Sequence, residues 1–376
     1  MKIVFIIDQV YKHGGIERVL SVKANYLAQN TNHEIHIVTH EQQGKASCYD
    51  FDQAITFTDL GINYDRLKSY FHPKNLLKVP KHILKISSFL KKINPEVVVV
   101  CSHTTDTYFM PFVVKRIPKI KEFHYSKFIE LSIRKQPTSR FKKYFLKFAD
   151  YVESKYDKLV VLNKDEANYY KTNNVAIIPN PLTFFPNSIS NVGAKVVITA
   201  GRIAPVKGYD ILIDIWAMVA EKFPDWQLHI YGEGNAPAIQ TLKDQILKLN
   251  LTESVILKGI TNTIQDKMLN SSIFVMSSHN ECFPLVLLEA KACGLPIVSF
   301  DCPHGPANII NANDGRLVPL YDTTAFANQM IELMDNQELR KQLGGQARNN
   351  VAKFKTAHIM ETWEALFYEL AETKAS

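Results

Sequence analysis

Short runs of β-branched residues, recurring between longer amphipathic stretches, constrain the fold of this chain most tightly. Residues 3–7, 34–39, 97–101, 119–123 and 158–162 read as one series of strands, with Val97 to Val100 the clearest. Strands that apolar are buried on both faces, which calls for a parallel sheet with helices above and below. A helix is expected from about Ile16 to Asn30 and another from about Pro80, while 59–79 is only loosely patterned. Asn180-Pro181, Pro186 and the polar stretch 187–193 then interrupt the alternation as a linker does. A second series follows, with strands at 196–200, 227–231, 255–257, 273–276 and 296–299 and helices near 209–221, 237–249 and 284–293. The sequence therefore predicts two doubly wound α/β domains, 1–187 and 188–355, facing each other across a cleft. Residues 356–376 carry Ile359, Trp363, Leu366, Phe367 and Leu370 at helical spacing. That helix comes after the second core is complete, so it is expected to pack back toward the first domain.

Composition narrows the functional classes. At 376 residues with 46 % hydrophobic and 22 % charged residues, the chain can build two cores without disulfides. Its five cysteines form no CxxC pair, and an odd count in a large chain suits a reducing compartment. No apolar run reaches the ~18 residues of a spanning helix, and the N-terminal run ends at Asp8. A cytoplasmic protein is the expectation. Residues 1–190 hold 28 Lys+Arg against 17 Asp+Glu, whereas 191–376 hold 16 against 20, so the first half prefers anionic partners.

The chemistry gathers at strand ends, where open α/β sheets bind ligands. After the strand at 196–200, Gly201-Arg202 and Lys207-Gly208 put a planar donor fork and a point charge near one small volume, which suits a diphosphate. After the strand at 273–276 comes Ser277 to Leu285. A helix starting near Pro284 would offer its first amides, with those of Cys282, Phe283 and Leu285, to an oxyanion. Glu289 sits in the otherwise apolar Leu285-Val286-Leu287-Leu288-Glu289-Ala290 and needs hydrogen-bond partners there. A carboxylate beside a diphosphate suits the two hydroxyls of a ribose; the competing reading is a helix-surface residue paired with a lysine. For Arg202 and Lys207 the competing reading is a pair of solvated surface cations. Gly232, in Tyr231-Gly232-Glu233-Gly234, allows close approach of a ligand or of a neighbouring loop. The full dinucleotide-binding glycine pattern is missing there and at His13-Gly14-Gly15, which disfavours a nicotinamide enzyme.

Taken together, these motifs resemble those of the retaining glycosyltransferases with the GT-B fold, the large family 4-like group of bacterial polysaccharide and lipopolysaccharide enzymes. The likeness spans nearly the whole chain and is strongest over 198–320. There Gly201-Arg202, Lys207-Gly208 and the spacing of Glu281, seven residues, Glu289 match the family's most specific motifs. The resemblance implies that Arg202 and Lys207 bind the donor diphosphate, that Glu289 holds the ribose, and that Glu281 lies beside the transferred sugar. Gly14-Gly15 resembles the glycine-rich loop that approaches donor phosphates and acceptor, and His124 the active-site histidine of the first domain. The stretch Asp301 to Pro306 resembles one branch of the family, in which Asn308 is often Glu.

A front-face transfer of a hexose or N-acetylhexosamine with retention follows from that likeness, from a nucleotide sugar (a uridine one by family breadth) to a glycan or lipid-linked hydroxyl. The nucleotide sugar is substrate, and no other cofactor is expected. Double displacement would need two carboxylates flanking the anomeric carbon. No metal-spaced carboxylate or His/Cys set accompanies the motifs, so metal-independent chemistry is expected. Basic residues at Lys74, Lys78, Lys81, Lys85, Lys91 and Lys92, and again across 134–147 with Phe141, Tyr144, Phe145 and Phe148 among them, suit an anionic bilayer surface. A solvated helix face with core aromatics is the alternative. Nucleic acid is disfavoured for want of a motif. A nucleotide-sugar epimerase of the same architecture is the competing enzyme class.

Overall fold

The computed structural model describes residues 1–128, 130 and 139–375. Two compact units divide the chain: Met1–Pro181 with Thr356–Ser376, and Leu182–Lys355. Each is an all-parallel sheet covered by helices, as the doubly buried strands require.

In the first unit, β1 (Lys2–Ile6), β2 (Glu34–Thr39), β3 (Thr56–Asp59), β4 (Val97–Val100), β5 (Lys119–Glu122), β6 (Lys158–Val161) and β7 (Val175–Ile177) lie in the order β3-β2-β1-β4-β5-β6-β7. β4, all valine, is buried along its whole length between β1 and β5. β3 and β7 were not predicted: both are short edge strands with largely unburied side chains, so no apolar pattern marks them. The helix Gly15–Asn30 buries Val19, Leu20, Ala24 and Leu27, and the helix Thr356–Ala375 packs beside it. Trp363 of that last helix lies over the ammonium of Lys23, 4.2 Å from Nζ to the ring centroid.

In the second unit, β8 (Val196–Ala200), β9 (Gln227–Tyr231), β10 (Val255–Gly259), β11 (Ile273–Met276), β12 (Ile297–Asp301) and β13 (Gly315–Pro319) lie in the order β10-β9-β8-β11-β12-β13. β13 is a further unpredicted edge strand. Helix Tyr209–Ala220 buries Leu212, Ile213, Ile215, Trp216 and Val219 against this sheet. In both sheets the strand order reverses beside the first strand, between β1 and β4 and between β8 and β11. The carboxyl ends of those two pairs are the crevices where such sheets take ligands.

Candidate functional site

At the β8/β11 crevice, the loop leaving β8 is fixed by backbone contacts on two sides. Toward β9, the Gly201 amide donates to the Tyr231 carbonyl at 2.9 Å and the Ile203 amide to the Glu233 carbonyl at 2.6 Å. The two backbones run so close that a Cβ on Gly232 would overlap the Gly201 carbonyl. The neighbouring loop thus accounts for Gly232 as glycine. Toward β11, the His279 amide donates to the Val206 carbonyl at 2.8 Å and the Ser277 hydroxyl to the Lys207 carbonyl at 3.0 Å. Gly208 begins the helix Tyr209–Ala220 with φ +61°, and a Cβ there would strike the Ser277 carbonyl. Only glycine meets both demands.

This clamp brings Lys207 and Glu281 together, 2.6 Å from Nζ to Oε1, at the mouth of the crevice. Arg202 is exposed and has no ion-pair partner among the described residues. The helix after β11 runs Leu285–Ala292 with Pro284 as its N-cap residue, so its first amides open on the same side as the loop carrying Glu281. Cys282 and Phe283 are buried, and the Phe283 ring packs on Phe354. The loop after β12 closes in behind: a Cβ on Gly305 would come within 2.7 Å of the Glu281 Cβ. Burial, with Glu281 nearby, pushes the Cys302 thiol up to about 12, so it is inert as a nucleophile. Asn308 turns inward to donate to the His304 carbonyl at 2.8 Å.

Glu289 is 3 % exposed, and its Oε1 accepts a hydrogen bond from the Thr183 hydroxyl at 2.6 Å. The sequence signal for Glu289, a carboxylate in an apolar helix, is thereby explained in part by an internal partner that no spacing rule reveals. Two residues on, buried Lys291 meets Asp314 at 2.7 Å.

His124 and Gly14-Gly15 belong to the first unit. His124 follows β5, its side chain 6 % exposed, with Nε2 3.3 Å from Glu122 Oε1. The same carboxylate accepts from Lys23 Nζ at 2.5 and 2.6 Å. Burial alone would raise the Glu122 pKa, but Lys23 and His124 outweigh it and hold the carboxylate well below its ordinary range. A histidine fixed by a buried carboxylate has a defined ring orientation. Gly14 caps the helix Gly15–Asn30, and a Cβ there would collide with the Glu17 carboxylate, itself bonded to Gln9 Nε2 at 2.5 Å.

Sequence reasoning missed a polar network in this unit, in which His40, Glu41 and Asp106 are buried and Asp8 and Arg66 stay partly exposed. Its one legible signal is position, since Asp8 and His40-Glu41 directly follow the β1 and β2 runs. Among the described residues, no three His, Cys, Asp or Glu side chains converge as metal ligands, and no helix is long and apolar enough to cross a membrane.

Known proteins share this organisation. Residues 13–189 match the family described as glycosyltransferase family 4, and residues 183–350 the one described as glycosyl transferases group 1. An uncharacterized glycosyltransferase of Haemophilus influenzae is 32 % identical over 216 residues, covering 56 % of this chain and 61 % of that protein, under two thirds of its length. The amylovoran biosynthesis glycosyltransferase AmsD of Erwinia amylovora is 26 % identical over 376 residues, covering 96 % of this chain and 98 % of AmsD. The structure of a mutant of Staphylococcus aureus TarM in complex with fondaparinux, alpha-GlcNAc-glycerol and UDP superposes with a TM-score of 0.76 at 18 % identity, covering 97 % of this chain and 99 % of that chain. At that identity the likeness establishes the fold.

Proposed function

Since the chain belongs to the GT-B-fold glycosyltransferases, we propose that it transfers a hexose or N-acetylhexosamine from a uridine-diphosphate sugar to a hydroxyl of a growing surface glycan or lipid-linked acceptor, with retention of configuration. One observation carries the reading: Lys207 and Glu281 are paired at the β8/β11 crevice, with an unpaired Arg202 on the same loop. The UDP held by TarM supports the choice of nucleotide.

On donor entry, Lys207 would exchange the Glu281 carboxylate for a diphosphate oxygen, and Glu281 would be released to a hydroxyl of the donor sugar. Arg202 and the first amides of the helix Leu285–Ala292 would take the charge that develops on the departing diphosphate, the term expected to dominate catalysis. Glu289, its carboxylate fixed by Thr183, would take the ribose hydroxyls. In a front-face transfer the acceptor hydroxyl loses its proton to the leaving phosphate, while His124, oriented by Glu122, would steer acceptor and sugar. No step calls for a metal ion, so turnover is expected to survive a chelator.

The test incubates the protein with a panel of nucleotide sugars, with and without oligosaccharide acceptors, and reads the anomeric configuration of the product by NMR. An α-linked product from an α-linked donor, lost about 100-fold in Arg202→Ala, is the expected result. Conversion of a donor into its epimer without acceptor would identify an epimerase instead. An inverted product would overturn the stereochemical assignment.

A further inference from the structure

Behind His124 lies a charged pair to which the donor chemistry gives no role. Lys23, on the helix Gly15–Asn30, and Glu122, at the end of β5, are each 1 % exposed and come together from 99 residues apart. The Lys23 ammonium donates to both oxygens of the carboxylate. Two further groups close on the same carboxylate: the Cys101 thiol donates to Oε2 at 3.4 Å, and His124 Nε2 stands 3.3 Å from Oε1. The Trp363 ring lies over the ammonium, and the Phe5 ring stands 5.7 Å from it, so water is kept from the pair.

Fastening the helix to the sheet does not require this pair. The helix already buries Val19, Leu20, Ala24 and Leu27, and taking two charges out of water offsets most of their mutual attraction. What the pair adds is an ionised carboxylate held in one place. Burial alone would raise the Glu122 pKa, and Lys23 is the strongest of the influences that lower it. An ionised carboxylate only accepts hydrogen bonds. Of the two ring nitrogens of His124, the one that faces it, Nε2, is therefore the one that carries the proton.

The remaining neighbours do not compete for that proton. Among the described residues, Glu122 is the one carboxylate within ion-pair distance of His124, and Nδ1 of His124 makes no hydrogen bond. The His103 ring lies 6.3 Å from that of His124, and burial, with Lys121 beside it, holds the His103 pKa well below the ordinary value. Lys121 itself is occupied by the carbonyls of Val100, Ser102 and Glu122.

We propose that Lys23 is a positioning residue for His124 that acts through Glu122: it keeps the carboxylate ionised and in place, and so fixes the histidine as the tautomer with its proton on Nε2 and with Nδ1 as a hydrogen-bond acceptor. His124 then takes a hydrogen bond from a hydroxyl and gives none to it. The last helix belongs to the same device, since Trp363 shields Lys23 from water. The use of that acceptor in sugar transfer rests on the glycosyltransferase reading, whereas the tautomer does not.

Heteronuclear NMR on the full chain with isotope-labelled histidine reports which ring nitrogens carry protons, at about pH 7.5, above the ordinary histidine value. His124→Asn assigns the signals. The unmodified protein is expected to show His124 protonated on Nε2 alone, and a proton on Nδ1 would overturn the proposal before any Lys23 variant is made. Lys23→Met takes the counter-charge from Glu122. The carboxylate then either gains a proton and donates it toward Nε2, or draws a second proton onto the ring, so the Nε2-only pattern is expected to disappear in both cases. Lys23→Arg keeps the charge and is expected to keep the pattern. The same pattern in a folded Lys23→Met protein would overturn the proposal. Turnover by Lys23→Met is expected to fall about tenfold, as for loss of the outer partner of a functional imidazole, with UDP affinity within about twofold of the parent. A changed ring pattern with unchanged turnover would overturn the positioning role. A Lys23-dependent Nε2 pattern in a protein that turns over none of the nucleotide sugars would instead sink the transferase reading and leave the tautomer assignment standing.

Discussion

Lys207 and Glu281 form an ion pair 2.6 Å long on the loops that leave β8 and β11. Both side chains are only partly exposed, and each neutralises the other. The two substitutions are therefore predicted to diverge. On the proposed donor reading, Lys207→Ala takes a cation from the diphosphate and leaves Glu281 facing it, so UDP affinity is expected to fall and turnover to drop about 100-fold, as for loss of one charge-stabilising donor. Glu281→Gln frees Lys207, so UDP is expected to bind at least as tightly while turnover falls. Calorimetry with UDP beside initial rates checks both, and parallel losses in the two variants would contradict the exchange of partners. His40 gives a prediction in pH. Burial is the main cause that lowers its pKa to about 4 from the ordinary 6.5. The unfolded chain then takes up the proton first, so the stability contributed by neutral His40 is complete above pH 6.5 and is lost as pH falls toward 4. The loss is on the order of 1 kcal/mol for each pH unit of the window. Urea unfolding from pH 7 to 4 is expected to show it, and His40→Gln to flatten the slope.

At the scale of elements, the helix Arg140–Glu153 divides its aromatics. Phe145 packs on Phe71 and Tyr108, Phe148 and Tyr151 stack on Tyr108 and Phe112 while staying about half exposed, and Tyr144 is largely exposed, all among Arg140, Lys142, Lys143 and Lys147. Arg134 and Lys135 of the basic stretch lie outside the described residues. Phe71 also joins this helix to the segment carrying the exposed Leu67 and Leu77. Exposed apolar side chains among lysines suit insertion into an anionic bilayer surface. Co-sedimentation with phosphatidylglycerol vesicles is predicted to drop at least tenfold when Lys142, Lys143 and Lys147 are changed to Gln, and unchanged binding would refute a membrane role for this face. The second lysine series behaves differently: Lys78 and Lys85 donate to the Asn63 and Leu60 carbonyls, and so hold their own helix in place.

For the molecule as a whole, the chain completes its second unit and then returns to the first. Thr356–Ala375 supplies Trp363, 1 % exposed, above the buried Lys23–Glu122 pair. A fragment ending at Lys355 exposes that pair and the apolar face of the helix Gly15–Asn30. Its first unit is predicted to melt well below that of the full chain while the second keeps its transition. Trp363→Ala is the milder version, costing the first unit about 3–5 kcal/mol by the usual scale for a buried tryptophan. Calorimetry resolving two transitions checks both, and a single unshifted transition in either would contradict the coupling.

The sequence by itself determined the two α/β series, because central parallel strands must be apolar on both faces and that demand is written in consecutive residues. It also showed glycines and cations gathered at one strand end, at Gly201-Arg202 and Lys207-Gly208, because those residues are neighbours in the chain. Edge strands β3, β7 and β13 escaped, since a strand covered on few sides carries little apolar pattern. The tertiary structure alone decided the pairs: Lys207 with Glu281, Thr183 with Glu289, Lys23 with Glu122 and Arg66 with Asp8 and Glu41. Those partners are separated by 25 to 106 residues. Where a charge finds its partner depends on strand order and loop closure, and neither is encoded in local spacing.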